Sequence, residues 1–492
     1  MERRAGLHRP AEGHAVTSRT KIVATIGPAS RSPRVLRQLL EAGVSVFRLN
    51  FSHGTHEEHS AVVSDIRALS RERERHVAIL QDLCGPKMRL NAIPGDVMDC
   101  NLDDEFTLAA EARPGSVQEL TSTYRDLPND LKVGETVLFA DGTVAMTVIE
   151  TAPGRARLKV TLPGRLRSRQ GINLPGSDLA VSSLTDKDFR DLDWTAQHAD
   201  DVDFVGLSFV RSAEDVVRLR QALLARNCPA HIVVKIEKPQ AVEHLEEIVA
   251  ATDAVMVARG DLGVEMEVQR VPAVQKRIIA LCNKSHRPVI TATQMLNSME
   301  HSSRPTRAEA SDVFNAVVDG ADAVMLSGES AVGQYPVEAV TTMAQICAEA
   351  EAHLKSVRRH SGAEVSPLSG FVDSITKASV DAACLMTEQL DAALIVVTAG
   401  SGRTALAVSN RRPAASILAL SRTEQVARSL SLCWGVTAVV LPDTSWAERV
   451  LACGVEWARA HGIVTSGQHA VLLSGQVVKR ADVWAVLAGP VT

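Results

Sequence analysis

The sequence predicts an α/β protein: a (β/α)8 TIM barrel, an inserted β-barrel lid domain, and a C-terminal open α/β domain. Three observations predict this. Eight short apolar runs, rich in β-branched residues, alternate with helical patterns between Lys21 and Ser330, which is the arithmetic of a closed parallel barrel. The rhythm breaks between Leu83 and Val202, a gap far beyond the usual strand-to-helix loop of about 2–6 residues. After a polar stretch around 357–370 the alternation starts again. The expected units are a disordered tail (1–19), the barrel (20–85 and 180–356), the lid (86–179) and the C-terminal domain (365–492).

Bulk properties narrow the function. With 492 residues, 45% hydrophobic, the chain can build more than one core. A net charge of -5 gives no reason to expect a nucleic-acid or anionic-membrane partner. The eight cysteines show no metal-ligand or disulfide spacing, and no apolar run reaches membrane-spanning length. The first nineteen residues lack the apolar core of a secretory signal, so a reducing, cytoplasmic setting is expected.

Taken in order, Lys21–Gly27 is an apolar run closed by Gly27-Pro28. In Val44–His53, Arg48, Asn50 and Ser52 alternate with Leu49 and Phe51, so three polar groups should share one strand face. Val77–Leu83 carries Asp82 at its end. Within the gap, Thr136–Ala140 and Thr143–Ile149 flank Asp141-Gly142, a hairpin signature, and Pro153-Gly154 makes a second turn. The first rhythm resumes with Val202–Val210, His231–Lys238, Ala254–Asp261, Pro288–Gln294 and Ala323–Ser330. Pro305 and the capping box Thr306-x-x-Glu309 open a helix. An Ala- and Glu-rich helix (about 337–356) closes the barrel. Four further strands begin at Ala393, Ser416, Thr437 and Ala470.

Active sites of such barrels lie at the strands' carboxyl ends. The polar groups there are Arg48, Asn50, Ser52, Asp82, Ser208, Lys235, Glu237, Asp261 and Thr293. Lys235 and Glu237 are two residues apart and share a side of their strand tip. Glu237 and Asp261, on adjacent strand ends, can offer two carboxylates to Mg2+, which fills its octahedron with water and substrate oxygens. Arg48 offers a fork to phosphate or carboxylate, and Lys235 a compact charge beside the metal. The set suits phosphoryl transfer, where catalysis is positioning and charge neutralisation. It would equally serve a Mg2+-dependent lyase of 2-oxo acids.

Seven stretches together resemble the pyruvate kinase family: Thr20–Pro28, Arg48–Gly54, Lys235-Ile-Glu237, Ala258–Glu265, Thr291–Leu296, Arg304–Glu309 and Asp322–Ser330. The resemblance implies transfer from phosphoenolpyruvate to ADP, giving pyruvate and ATP. It implies Mg2+ (Mn2+ as an alternative) on Glu237 and Asp261, and Lys235 and Arg48 as catalytic and substrate-binding cations. It implies Thr293 near the site of enolate protonation, and substrate contacts from Gly260, Asp261, Thr293 and Ser208. Asn50, Phe51, Ser52, His53, Arg89, Thr25 and Pro28 fall on the nucleotide side. A homotetramer is implied as well, and lid closure that excludes water. A non-catalytic paralogue is the contrary reading, against which Lys235, Glu237, Asp261 and Thr293 all stand.

The chain departs from the family pattern in three places. The monovalent-cation set keeps Asn50, Ser52 and Asp82, but Leu83 stands where Thr is usual and Lys87 where Glu is usual, as in the branch that needs no K+. A fixed ammonium can supply the field of a bound cation, so K+-independent turnover is expected. Gln170 stands where the lid usually has Lys, so either the lid's phosphate contact is weaker or Arg169 substitutes for it. In the C-terminal domain, Ser401, Gly402, Arg403 and Thr404 form a candidate effector loop before a helix. The usual Gly-rich partner stretch is replaced by Ser474–Trp484.

Overall fold

A computed structural model describes residues 18–111, 113, 116, 118–175, 182–358, 372–441, 447–478 and 481–491. Most of the expected tail (1–17) and linker (359–371) lies outside them. Eight parallel strands close a barrel: β1 (Lys21–Ile26), β2 (Val44–Asn50), β3 (Ala78–Asp82), β4 (Phe204–Leu207), β5 (His231–Ile236), β6 (Ala254–Ala258), β7 (Val289–Ala292) and β8 (Ala323–Leu326).

Alternation along the strands explains both ends of the barrel. Val23, Val46, Leu80, Phe204, Val233 and Met256 fill the interior, while their neighbours Ile22, Ala24, Phe47, Ile79 and Val234 pack outward. Two residues further along the interior parity come Thr25, Arg48, Asp82 and Lys235. The pattern that builds the core therefore delivers polar side chains to the mouth. Helices cover the outside, several started by side-chain caps: Thr55 with Glu58, Thr185 with Asp188, and Thr306 with Glu309.

The strands are shorter than the apolar runs suggest. β2 ends at Asn50, so Ser52 lies in a turn rather than on the strand face. β6 ends at Ala258, and Asp261 sits in the first turn of the helix Arg259–Glu265. At both places the chain leaves the barrel wall once the ladder has no further partner.

The lid has its own core around Leu108, Val137, Phe139, Met146, Leu158 and Val160. It comprises a six-stranded sheet and a two-stranded pair of Val97–Cys100 with Gly164–Arg167. The predicted hairpin pairs Thr136–Phe139 with Val144–Ala152, and Pro153-Gly154 makes the next turn.

The C-terminal sheet has five strands in the order Val436–Val440, Ser416–Ser421, Leu394–Ala399, His469–Val478 and Ala481–Pro490. The last is antiparallel, so the Ser474–Trp484 stretch belongs to a long hairpin. This domain seals the barrel floor. Leu432 joins the interior apolar cluster. Arg428 Nε reaches Asp203 Oδ1 at 2.8 Å while Arg67 Nη2 holds Asp203 Oδ2 at 2.7 Å. Arg412 pairs with Asp322 at 2.9 Å, and Lys21 Nζ donates to the Val436 carbonyl at 2.6 Å. Arg19, expected in the tail, is anchored: it donates to the Pro413 carbonyl at 2.7 Å and lies over the Trp434 ring. Among the described residues no helix is long and apolar enough to cross a membrane.

Asp203 is the sealed centre of this clasp. Asp203→Asn leaves two buried guanidiniums under-compensated and should cost about 3–5 kcal/mol, read as a lower urea midpoint. A loss below about 1 kcal/mol would contradict the clasp.

Candidate active site

The site grows from the tips of β2 to β5. Asp82 is buried, and its Oδ2 accepts from Arg48 Nε at 2.8 Å and lies 2.6 Å from Arg48 Nη2. Lys235 Nζ lies 3.5 Å from the same oxygen and 2.6 Å from Glu237 Oε1. Thr25 Oγ1 accepts from Arg48 Nη1 at 2.8 Å. Ser208 Oγ accepts from Lys235 at 2.9 Å and donates to the Leu83 carbonyl, also at 2.9 Å. Gly206 leaves room for this packing: a Cβ there would stand 3.0 Å from Asp82 Oδ1. That Oδ1 has no hydrogen-bond partner among the described residues.

Charge states follow from these contacts. Burial opposes ionisation of Asp82, but Lys235 and Arg48 outweigh it and hold the carboxyl below the usual range. Burial likewise opposes the Lys235 charge, and Asp82, Glu237 and Asp261 outweigh it, so the ammonium is held above its usual range. Burial pushes Glu237 up, assisted by Asp261 and opposed by Lys235. A second cation near this pair would relieve that upward push.

The donor set fits a Mg2+ ion. Among the described residues the Asp261 carboxylate takes no hydrogen bond or ion pair, and its charge acts on both Lys235 and Glu237. Glu237 Oε2 takes the Phe209 N–H, at 2.9 Å, and no other donor among the described residues. Among the described residues no cluster of three or more His, Cys, Asp or Glu gathers for a metal; one or two carboxylates with water and substrate oxygens is a set that Mg2+ accepts.

Across the mouth, Thr293 and Gly260 satisfy each other. Gly260 N–H donates to Thr293 Oγ1 at 2.7 Å, and that hydroxyl donates to the Ala292 carbonyl at 2.6 Å. Thr293 and Gln294 have φ of +67° and +54°, a strained pair. Arg259 secures the strain: it donates to the Thr293 carbonyl at 2.8 Å and pairs with Asp312 at 2.7 Å. Sequence reading does not single out Arg259, although it stands inside the Ala258–Glu265 motif.

Beyond the tip of β2, Asn50 Oδ1 accepts from Ser52 N–H at 3.1 Å, which shapes the turn after that strand. The Phe51 ring points away from solvent and stacks on His59 at 4.2 Å. Its carbonyl accepts from Lys187 at 2.7 Å, a residue with no sequence signal beyond its place in a capping box. His53 is exposed. Burial, then Lys87, Arg89 and Arg48, depress its imidazole pKa, so lid and barrel cations converge here. Arg89 belongs to the lid, where it donates to the Arg169 carbonyl at 3.0 Å. Pro28 is exposed beyond β1.

Three predicted groups stand apart. Gln170 Oε1 accepts from Arg167 N–H at 2.7 Å, so its side chain closes a lid turn. Lys87 is exposed, and its charge acts on Asp82. Ser401 to Thr404 lie in the C-terminal domain at the opposite end of the barrel; Gly402, with φ +82°, starts the helix Arg403–Asn410.

The chain is similar to known proteins along nearly its whole length. The family model "Pyruvate kinase, barrel domain" matches residues 17–340, and "Pyruvate kinase, alpha/beta domain" matches 377–487. A pyruvate kinase of Geobacillus stearothermophilus is 40% identical over 460 residues, covering 93% of this chain and 77% of that protein. One of Agrobacterium vitis is 40% identical over 458 residues, covering 93% and 95%. The crystal structure of a pyruvate kinase from Cryptosporidium parvum superposes with a TM-score of 0.87 at 32% identity, covering 97% of this chain and 98% of that one. With both domain models matched in order and the barrel mouth built as described, the chain belongs to the pyruvate kinase family of phosphotransferases.

Proposed function

We propose that this enzyme transfers the phosphoryl group of phosphoenolpyruvate to ADP with Mg2+ and without a requirement for K+. The observation that carries the reading is the line of ion pairs from Arg48 through Asp82 and Lys235 to Glu237. It fixes two cations side by side at a water-poor barrel mouth. Arg48 and Lys235 are suited to bind the substrate's phosphate and to neutralise charge as the P–O bond to the enol oxygen breaks and one to the ADP terminal oxygen forms. Glu237 and Asp261 would hold Mg2+, which supplies Lewis-acid charge to the phosphoryl oxygens. The enolate then takes a proton to become pyruvate. Thr293 is placed for this on the family pattern, with its hydroxyl oriented by the Gly260 N–H. Asn50, Ser52, His53 and Arg89 would face ADP.

Independence from K+ is supported by two features. The Leu83 carbonyl already accepts from Ser208, and Leu83 has no hydroxyl to add as a ligand. Lys87, exposed beside the mouth, adds its positive charge to those of Lys235 and Arg48 acting on Asp82. The same reading places the enzyme in the cytoplasm, in keeping with eight free thiols, and as a homotetramer, on family likeness.

Lys235→Met should lower kcat by about 10²–10³-fold with the fold intact by circular dichroism; near-normal turnover would remove Lys235 from the chemistry. Lys87→Glu should slow turnover in K+-free buffer, with added K+ restoring it at least about tenfold. Full activity of this variant without K+ would show that Lys87 is not the substitute cation.

A further inference from the structure

One polar node on the rim has no part in the reaction as described. Asn173 lies on the strand Ile172–Asn173, the lid's last described strand, and its Nδ2 donates to Glu265 Oε1 at 3.2 Å. Lys238 Nζ donates to the same oxygen at 2.6 Å. Among the described residues, this is the hydrogen bond that joins a lid side chain to a barrel side chain. The Glu265 side chain is 1% exposed, and its other oxygen has no partner among the described residues. A buried carboxylate so sparsely served is sensitive to the loss of any donor.

The node is linked to both metal-side carboxylates along the chain. Glu265 ends the helix Arg259–Glu265, four residues after Asp261 and so on the same face. Lys238 follows Glu237 directly and lies 5.5 Å from the Phe209 ring centroid. Phe209, held at φ +58°, donates its N–H to Glu237 Oε2. A lid displacement that withdraws Asn173 leaves Glu265 with Lys238 alone, and both elements that carry the metal carboxylates meet at that residue.

We propose that Glu265, with Lys238 and Asn173, is a positioning latch that couples the lid's place over the barrel to the placement of Glu237 and Asp261. The proposal rests on those two residues being the Mg2+ carboxylates. Coupling of this kind is reciprocal: whatever cation binding does for the lid, the lid contact does for cation affinity, by the same factor.

The test is direct binding of Mn2+, followed by its electron paramagnetic resonance signal, to wild type, Asn173→Ala, Glu265→Gln and Asp261→Asn. Hydrogen exchange of the lid segment 164–175 is measured with and without Mn2+. Asn173→Ala is expected to keep the wild-type thermal midpoint and bind Mn2+ about fivefold more weakly or worse. Mn2+ should slow exchange in 164–175 of the wild type and not of this variant. Glu265→Gln should weaken Mn2+ in the same direction, and it carries the comparison if Asn173→Ala fails to fold. Wild-type Mn2+ affinity in both latch variants, with binding lost in Asp261→Asn, overturns the latch alone. Unchanged Mn2+ affinity in Asp261→Asn overturns the metal assignment and the latch with it.

Discussion

Asp82 carries its carboxylate at the tip of β3, buried, with Arg48 on one side and Lys235 on the other. An isolated carboxylate in such a place would neutralise itself by taking a proton, and an isolated ammonium would shed one. Together they remain ionised, because each supplies what burial takes from the others. The barrel mouth therefore holds two positive charges close together without substrate. Ser208 and Thr25 fill the remaining hydrogen-bond directions and keep both cations from drifting. A site of this kind does its reorganising during folding rather than during reaction, which is how electrostatic catalysis is made efficient.

Strand alternation places this cluster. The residues that pack the barrel interior set the parity, and the parity carries Thr25, Arg48, Asp82 and Lys235 to the mouth. The other end is closed by a separate device. Leu432 plugs the floor, and the Asp203 clasp with Arg67 and Arg428 ties the C-terminal domain beneath it. Charge is thus buried at both ends of one apolar core. At the floor the Asp203 carboxylate finds both its cations within the chain, whereas at the mouth Asp82 Oδ1 has no partner among the described residues.

Much of this was legible in the sequence for a physical reason. Period-2 alternation at Arg48 and Asn50, and the Lys235–Glu237 spacing, fix which face a side chain takes whatever the tertiary context. Alternation says nothing about where a strand stops. The turn at Ser52 and the helix that begins at Arg259 therefore replaced expected strand. Long-range partners were equally hidden. Arg259 with Thr293, Lys187 with the Phe51 carbonyl, and Asn173 with Glu265 join positions far apart in the chain and carry no local periodicity. The bond from Arg167 N–H to Gln170 Oε1, which closes a lid turn, is hidden as well. The final strand, Ala481–Pro490, pairs antiparallel with His469–Val478, a long-range partnership that the local sequence does not signal.

The most direct measurement is pyruvate formation by the unmodified enzyme from phosphoenolpyruvate, ADP and Mg2+ in a buffer free of K+ and other small monovalent cations, repeated with K+ added. A mouth whose positive field is built from Arg48, Lys235 and Lys87 should turn over at equal, substantial rates in both. Activity that appears only with K+ would contradict this, and would show that the unpartnered side of Asp82 waits for an ion the chain does not supply.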